Sequence, residues 1–157
     1  MEPKFRSLSL LLATALLAVT PLAATPEHWK GEIDKLTASD AAHPAPANAV
    51  VFVGSSSIRL WSSLATDFPG VVSINRGFGG SELADSVYYL DRIVLPYRPR
   101  AVVLFAGTND IWSGKTPETV ASDFHAFRTK LHAALPEKKS SFCLSPMLPP
   151  ARGCATP

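Results

Sequence analysis

The feature that most constrains the fold is an uninterrupted apolar run, Ala101–Ala106, in which no polar residue marks a solvent-facing side. A strand that faces water on one side alternates polar and apolar residues, whereas a strand buried on both faces does not. Strands buried on both faces are typical of parallel sheets that helices cover on both sides. The run therefore predicts the central strand of a three-layer α/β/α domain.

Two shorter apolar runs predict further strands at residues 49–53 and 71–75. Helical periodicity predicts helices over residues 26–39, from Ser81 through Leu90, and over residues 117–135. The last of these carries an inner apolar stripe of Val120, Phe124, Phe127, Leu131 and Leu135. Because strands and helices alternate, the sequence favours a single domain built on one parallel sheet.

Loops rich in glycine and small polar residues follow each of the three predicted strands. They are Gly54-Ser55-Ser56-Ser57, the segment from Asn75 to Ser81, and Gly107-Thr108-Asn109-Asp110. Taken singly, each has an ordinary structural interpretation as a helix cap or a tight turn, and Asp110 fits a helix cap. The carboxyl ends of parallel strands, however, meet at one edge of a sheet, where such folds place their active crevices. We therefore expect the three loops to form one site.

These residue types suit the hydrolysis of an ester. A serine at the start of a helix offers a nucleophilic hydroxyl beside a free backbone N–H group. A glycine in a neighbouring loop allows a second N–H group to approach closely, and an asparagine adds an uncharged side-chain donor. Together such donors stabilise the oxyanion that forms when a nucleophile attacks a carbonyl group. The loops therefore indicate a serine esterase.

The order and spacing of these loops resemble the SGNH (GDSL-type) hydrolase family. The resemblance spans roughly Trp29 to Leu135 and includes the continuation Ile58-Arg59-Leu60-Trp61. It implies a flavodoxin-like sheet, with Ser56 as the nucleophile and as an oxyanion donor through its N–H group. It also implies that Gly80 and Asn109 are the other oxyanion donors, with no cofactor and no metal. Acetylated carbohydrates or short acyl esters are the substrates that the resemblance suggests.

The family's general base has no counterpart in this sequence. In the family a histidine follows an aspartate by three residues near the C-terminus, and the aspartate orients the imidazole ring. None of the four histidines, His28, His43, His125 and His132, stands in such a pattern. His125 and His132 share a helical face away from the apolar stripe, so we expect both to be solvated. The sequence thus predicts impaired turnover.

The C-terminal segment departs from the family pattern. We assign residues 25–139 to an incomplete hydrolase-like domain and residues 140–157 to an atypical tail, in which Pro146, Pro149 and Pro150 exclude a central strand beyond Ser145. A frameshift near Lys139, a truncation and a fragmentary gene model are alternative explanations. The alternative functions are a non-catalytic glycan-binding module and a non-functional truncated product.

The first 24 residues have the pattern of a bacterial-type secretory signal peptide. Lys4 and Arg6 precede a largely apolar stretch at residues 8–19, and small residues favour cleavage after Ala24. An uncleaved membrane anchor is the alternative, although the apolar stretch is short for a membrane span. The sequence therefore predicts a periplasmic or secreted protein without a membrane span after cleavage.

Charge and cysteine content exclude several other classes of protein. The formal net charge is +2 and becomes +1 without Glu2, Lys4 and Arg6, and no basic run suggests nucleic acid as a partner. No cluster of histidine and cysteine shows zinc-like spacing. Export would permit a disulfide between Cys143 and Cys154, but two cysteines do not make a disulfide framework. The expected partner is a small-molecule or carbohydrate ester.

Overall fold

Four parallel strands form the sheet in a computed structural model that describes residues 26–38, 40, 42, 44, 46 and 48–136, and the backbone of residues 139–144. The strands are β1 (Val50–Gly54), β2 (Ser73–Gly77), β3 (Ala101–Ala106) and β4 (Lys139–Leu144). Their order in the sheet is β2-β1-β3-β4, and every neighbouring pair is parallel. The predicted parallel α/β fold is confirmed.

Short helices and one long helix connect and cover the strands. They are α1 (Lys30–Thr37), α2 (Ser56–Arg59), α3 (Leu64–Asp67), α4 (Leu83–Tyr88), α5 (Leu90–Ile93), α6 (Thr108–Trp112) and α7 (Pro117–Ala134). Single turns of 3₁₀ helix lie at Pro26–Trp29 and Leu95–Tyr97. None of the helices in the described part of the chain is long and apolar enough to cross a membrane.

Apolar side chains pack on both faces of the sheet. On one face, Val51 and Leu104 belong to a core that helices α1, α4, α5 and α7 complete. On the other face, Val50 and Phe52 pack with Ile58 of α2 and Leu64 of α3. Alternate residues of β1 and of β3 therefore belong to different cores, which is why these two strands carry no polar side chains.

The strand order determines where a site can form. After β1 the chain continues to β2 at one edge of the sheet, and after β3 it continues to β4 at the other edge. The direction of strand addition therefore reverses between β1 and β3, and such a reversal is where parallel sheets place their sites. Gly54 pairs in register with Gly77 of β2 and with Phe105 of β3. The three strands therefore end at nearly the same level, and their following loops share one edge.

Several predicted boundaries differ from the structure. The second strand covers residues 73–77 rather than 71–75. The N-terminal helix begins as a 3₁₀ turn and ends at Thr37, and the helix expected from Ser81 begins at Leu83 and is interrupted after Tyr88. Strand β4 extends from Lys139 to Leu144, so residues 140–144 of the segment that we assigned to the tail belong to the sheet.

Three predictions concern residues outside the described part of the chain. They are the signal peptide at residues 1–24, the fold of residues 145–157 and the disulfide between Cys143 and Cys154. The side chain of Cys143 and the whole of Cys154 lie outside the described residues.

Candidate active site

Ser56 is the first residue of helix α2, directly beyond the end of β1. Its side chain is partly exposed, whereas Ser55 is buried and Ser57 is exposed. Ser56 is too close to the helix start for its N–H group to find an acceptor within the helix. Among the described residues, neither this N–H group nor the Ser56 Oγ atom has a hydrogen-bond partner. Both are thus available at the edge of the sheet.

The loop after β2 places Gly80 beside this edge. The Phe78 N–H group donates to the Gly54 carbonyl oxygen at 3.0 Å, which ties the start of the loop to the end of β1. A turn follows in which the Ser81 N–H group donates to the Phe78 carbonyl at 3.4 Å, and Gly80 adopts a φ of +80°. This positive φ favours glycine over other residues. In the described part of the chain, the Gly80 N–H group has no acceptor.

Asn109 extends from helix α6 toward the same loop. Its Nδ2 atom donates to the Ser81 carbonyl oxygen at 2.8 Å. A side-chain amide has two N–H donors, so one remains for a ligand while the other fixes the orientation of the group. The structure therefore brings the loops of Ser56, Gly80 and Asn109 to one edge of the sheet.

Asp110 connects the second and third loops. It is fully buried, and its two carboxylate oxygens each accept from the Leu83 N–H group at 3.1 Å. Leu83 begins helix α4, so Asp110 caps a helix that is distant in sequence rather than its own. Lys115 lies 3.2 Å from the same carboxylate and also contacts Glu82 at 3.0 Å and Asp123 at 2.9 Å.

Burial and hydrogen bonding shift the pKa values of two groups in this region. Burial alone lowers the pKa of Lys115, but hydrogen bonds to Asp123, Glu82 and Asp110 outweigh it and raise that pKa well above its usual value. Burial raises the pKa of Asp85, and the hydrogen bond from the Glu82 backbone N–H group opposes this shift. Lys115 therefore links Glu82, which follows the loop of Gly80, to Asp110 of the third loop.

Three residues that the sequence patterns do not assign to the site surround the loop of Gly80. Glu32 of helix α1 accepts from the Gly79 N–H group at 3.3 Å, and Arg59 of α2 lies against Gly79. Trp29 contacts the position of Gly80. Their partners are distant in sequence, so no local pattern marks them.

The described histidines lie on the surface. His28, His125 and His132 are exposed, as predicted for the latter two. His43 lies outside the described residues. No described side chain forms a hydrogen bond with Ser56 Oγ. The described residues contain no group of three or more histidine, cysteine, aspartate or glutamate side chains arranged to hold a metal ion. The arrangement thus places a serine hydroxyl, two backbone N–H groups and one side-chain amide in loops at one edge of the sheet.

Comparison with known proteins identifies one matching family. The sequence matches the model of the GDSL-like lipase/acylhydrolase family over residues 53–155, which is more than half of the chain. No curated protein matches the sequence.

Several solved structures share the fold. A candidate platelet activating factor from Streptococcus pneumonia superposes with a TM-score of 0.65 at 16% identity, covering 74% of this chain and 54% of that one. For a GDSL-like lipase from Bacteroides thetaiotaomicron the TM-score is 0.56 at 20% identity, with coverage of 75% and 57%. For the acetyl xylan esterase AlAXEase it is 0.50 at 25% identity, with coverage of 60% and 57%. The chain spans little more than half the length of these structures.

Proposed function

Because the chain belongs to the GDSL-like lipase/acylhydrolase family, we propose that it is a serine esterase in which Ser56 attacks the carbonyl carbon of a carboxylic ester. The observation that carries this proposal is the convergence of three loops at one edge of the sheet. Two backbone N–H groups there, of Ser56 and Gly80, have no acceptor among the described residues, and the amide of Asn109 is held nearby.

The proposed reaction proceeds in two steps. Ser56 Oγ forms a bond to the carbonyl carbon while its proton passes to a base, and the carbonyl oxygen becomes an oxyanion. The N–H groups of Ser56 and Gly80 and the Nδ2 atom of Asn109 stabilise that oxyanion. Collapse of the intermediate expels the alcohol, and water then releases the acid from the acyl-serine. Each donor contributes about 3–4 kcal/mol in comparable sites.

We further propose that this 157-residue chain turns over slowly. None of the described histidines forms a hydrogen bond with Ser56, and in this proposal the proton passes to water. Oxyanion stabilisation alone leaves a residual acceleration of roughly 10³-fold over the uncatalysed reaction in enzymes that lack their triad. Acyl transfer to Ser56 is therefore expected to be measurable even where steady-state turnover is poor.

Covalent labelling provides the direct test. We expect a fluorophosphonate to add one phosphonyl group to the chain, on Ser56, and slow hydrolysis of p-nitrophenyl acetate. The variant Ser56→Ala removes the attacking hydroxyl and is expected to abolish the adduct and to remove the part of the hydrolysis that passes through the acyl-serine. Mass spectrometry of the intact protein and its peptides measures the first effect, and absorbance of p-nitrophenolate measures the second.

A neighbouring serine supplies a matched control. Ser57 is exposed and lies one residue further along α2, so Ser57→Ala should retain both the adduct and the hydrolysis. If Ser56→Ala is labelled and hydrolyses the ester as the unmodified chain does, the serine mechanism is wrong.

The substrate class is proposed from the family and one solved structure. We propose short acyl esters, including acetyl groups on carbohydrates, because AlAXEase, an acetyl xylan esterase, shares the fold at 25% identity. A comparison of phosphonylation rates for probes with short and long alkyl chains would test the preference for short acyl groups.

Export remains a prediction from residues 1–24, and we propose a periplasmic or secreted location on that basis. Expression of the full chain in a bacterium with a periplasm should yield a mature protein whose first residue is Thr25. Mass measurement of the periplasmic fraction checks this. A cytoplasmic product that retains Lys4 and Arg6 would contradict it.

A further inference from the structure

Glu32 of helix α1 contacts the loop that carries Gly80. Its Oε1 atom accepts a hydrogen bond from the Gly79 N–H group at 3.3 Å. Gly79 directly precedes Gly80, so this contact restrains the peptide that presents the Gly80 N–H group. The contact joins two segments separated by 47 positions in the sequence. Helix α1 lies before residue 53, where the family match begins.

Arg59 of helix α2 contacts the same glycine from another side. A Cβ atom on Gly79 would lie 2.7 Å from Arg59 Nε and 2.9 Å from Cζ, so the guanidinium group lies directly against the Gly79 backbone. Arg59 Nε is 3.9 Å from the Glu32 Oε1 atom. Arg59 follows Ser56 by one turn of α2. The Glu32–Arg59 pair therefore connects the helix of the proposed nucleophile with the loop of Gly80.

Trp29 completes the enclosure of this loop. A Cβ atom on Gly80 would lie 3.3 Å from Trp29 Cη2, and the indole ring packs edge-to-face against buried Phe78 at 5.8 Å between ring centroids. The loop therefore has an aromatic ring on one side and the Glu32–Arg59 pair on another.

The charges of this pair bear on the proposed reaction. Glu32 accepts from a peptide adjacent to the proposed Gly80 donor, and a carboxylate there opposes the formation of a nearby oxyanion. The guanidinium group of Arg59 offsets that charge. Since the arginine side chain is about half exposed, solvent weakens but does not remove its effect.

We propose that Glu32 and Arg59 are positioning residues of the oxyanion hole, an inference that rests on the proposed esterase function. Glu32 holds the Gly79 N–H group, so that the next peptide presents the Gly80 N–H group to the substrate. Arg59 packs against Gly79 and compensates the charge of Glu32 while the oxyanion forms. Glu32 thereby links helix α1 to the loop of Gly80.

A double-mutant cycle tests the charge compensation. We expect Arg59→Gln to slow phosphonylation of Ser56 roughly tenfold, because the Glu32 charge is then uncompensated. Glu32→Gln keeps an oxygen that accepts from Gly79 and leaves the positive charge of Arg59 without its partner, so it should not slow phosphonylation. The double variant should return to within about twofold of the unmodified chain. A purely structural role of Arg59 predicts instead that the defect persists in the double variant, which would overturn the proposal.

Amide exchange of Gly79 provides a readout that needs no catalysis. By NMR, Glu32→Ala should accelerate exchange of the Gly79 amide proton, whereas Glu32→Gln should preserve its protection. Lys30→Gln is the control, because it removes an exposed ion pair with Asp34 at 2.7 Å on the same helix and should alter neither measurement. Unchanged Gly79 exchange in Glu32→Ala would overturn the proposal.

The two hypotheses fail in different ways. If the proposed function is wrong, no variant forms a Ser56 adduct, while the Gly79 exchange pattern persists. If the present inference alone is wrong, Ser56 adducts still form, either at equal rates in all four proteins of the cycle or with a defect of Arg59→Gln that persists in the double variant.

Discussion

Replacing Gly54 by alanine is expected to lower the free energy of unfolding by about 4 kcal/mol, from overpacking and backbone strain together. An added Cβ atom would lie 2.1 Å from the Phe105 carbonyl oxygen and 2.8 Å from Ile58 Cγ1. The backbone φ at this position is +157°. Since small domains are stable by only about 5–15 kcal/mol, we expect a largely unfolded or insoluble variant.

Neighbouring structure leaves no route for relief of this clash. Phe105 pairs with Gly54 in β3, and β3 is hydrogen-bonded on its other side to β4. A shift of Phe105 would therefore disturb two strand pairs, and a shift of β1 would displace the start of α2. The same close approach brings Ser56 to the edge of the sheet, so stability and the site depend on one glycine.

Urea unfolding followed by circular dichroism measures the change, together with the soluble fraction after expression. Gly31→Ala is the matched control: Gly31 lies inside helix α1 with nothing within 4 Å of an added Cβ, so alanine should stabilise the protein by about 0.5–1 kcal/mol. Equal unfolding midpoints for Gly54→Ala and the unmodified chain would contradict the prediction.

Strand β3 and the long helix α7 were predictable because the burial of their side chains determines where apolar residues stand in their sequences. The run Ala101–Ala106 has the predicted bounds, and α7 differs from its predicted range by one residue at the C-terminal end. The stripe of α7 points to the core as expected, with Val120, Phe127 and Leu131 buried. Local hydrophobicity carries enough information for elements of this kind.

Strand β2 lies two residues beyond its predicted position and contains three polar residues. The predicted strand ends at Asn75, yet β2 includes Arg76, whose guanidinium group binds Asp40 at 2.8 Å and donates to the Tyr97 hydroxyl at 2.8 Å. Burial and the Asp40 hydrogen bond also raise the pKa of Tyr97. These partners lie in other elements, so the sequence near Arg76 does not reveal them.

In the candidate site, too, some residues stand in local sequence patterns, whereas others contact the site from distant parts of the sequence. Ser56, Gly80 and Asn109 stand in local patterns that predicted their loops, and the order of strands brings those loops to one edge. Their roles remain predictions that the labelling experiments address. The contacts of Glu32 and Arg59 with the loop of Gly80 are tertiary contacts between distant parts of the sequence, which no local pattern predicts.

Replacing Asp110 by alanine is expected to lower the free energy of unfolding by about 3 kcal/mol, because buried partners lose their acceptor. The N–H group of Leu83, a residue that is fully buried, would lose its hydrogen-bond acceptor. Lys115 would also lose Asp110, the most buried of its three carboxylate partners. Asp110→Asn keeps one oxygen for Leu83 and should cost about 1–2 kcal/mol. Urea unfolding of the three proteins gives these differences.

Asp123→Asn separates the role of Asp110 from the general loss of a charge near Lys115. Asp123 is 2.9 Å from the same ammonium group but is partly exposed, so its substitution should cost less than about 1 kcal/mol. Equal free energies of unfolding for Asp110→Ala and Asp123→Asn would mean that the hydrogen bond from Leu83 to Asp110 contributes nothing to stability. Since Asp110 joins the start of α4 to the helix of Asn109, Asp110→Ala should also slow phosphonylation of Ser56, whereas Asp123→Asn should not.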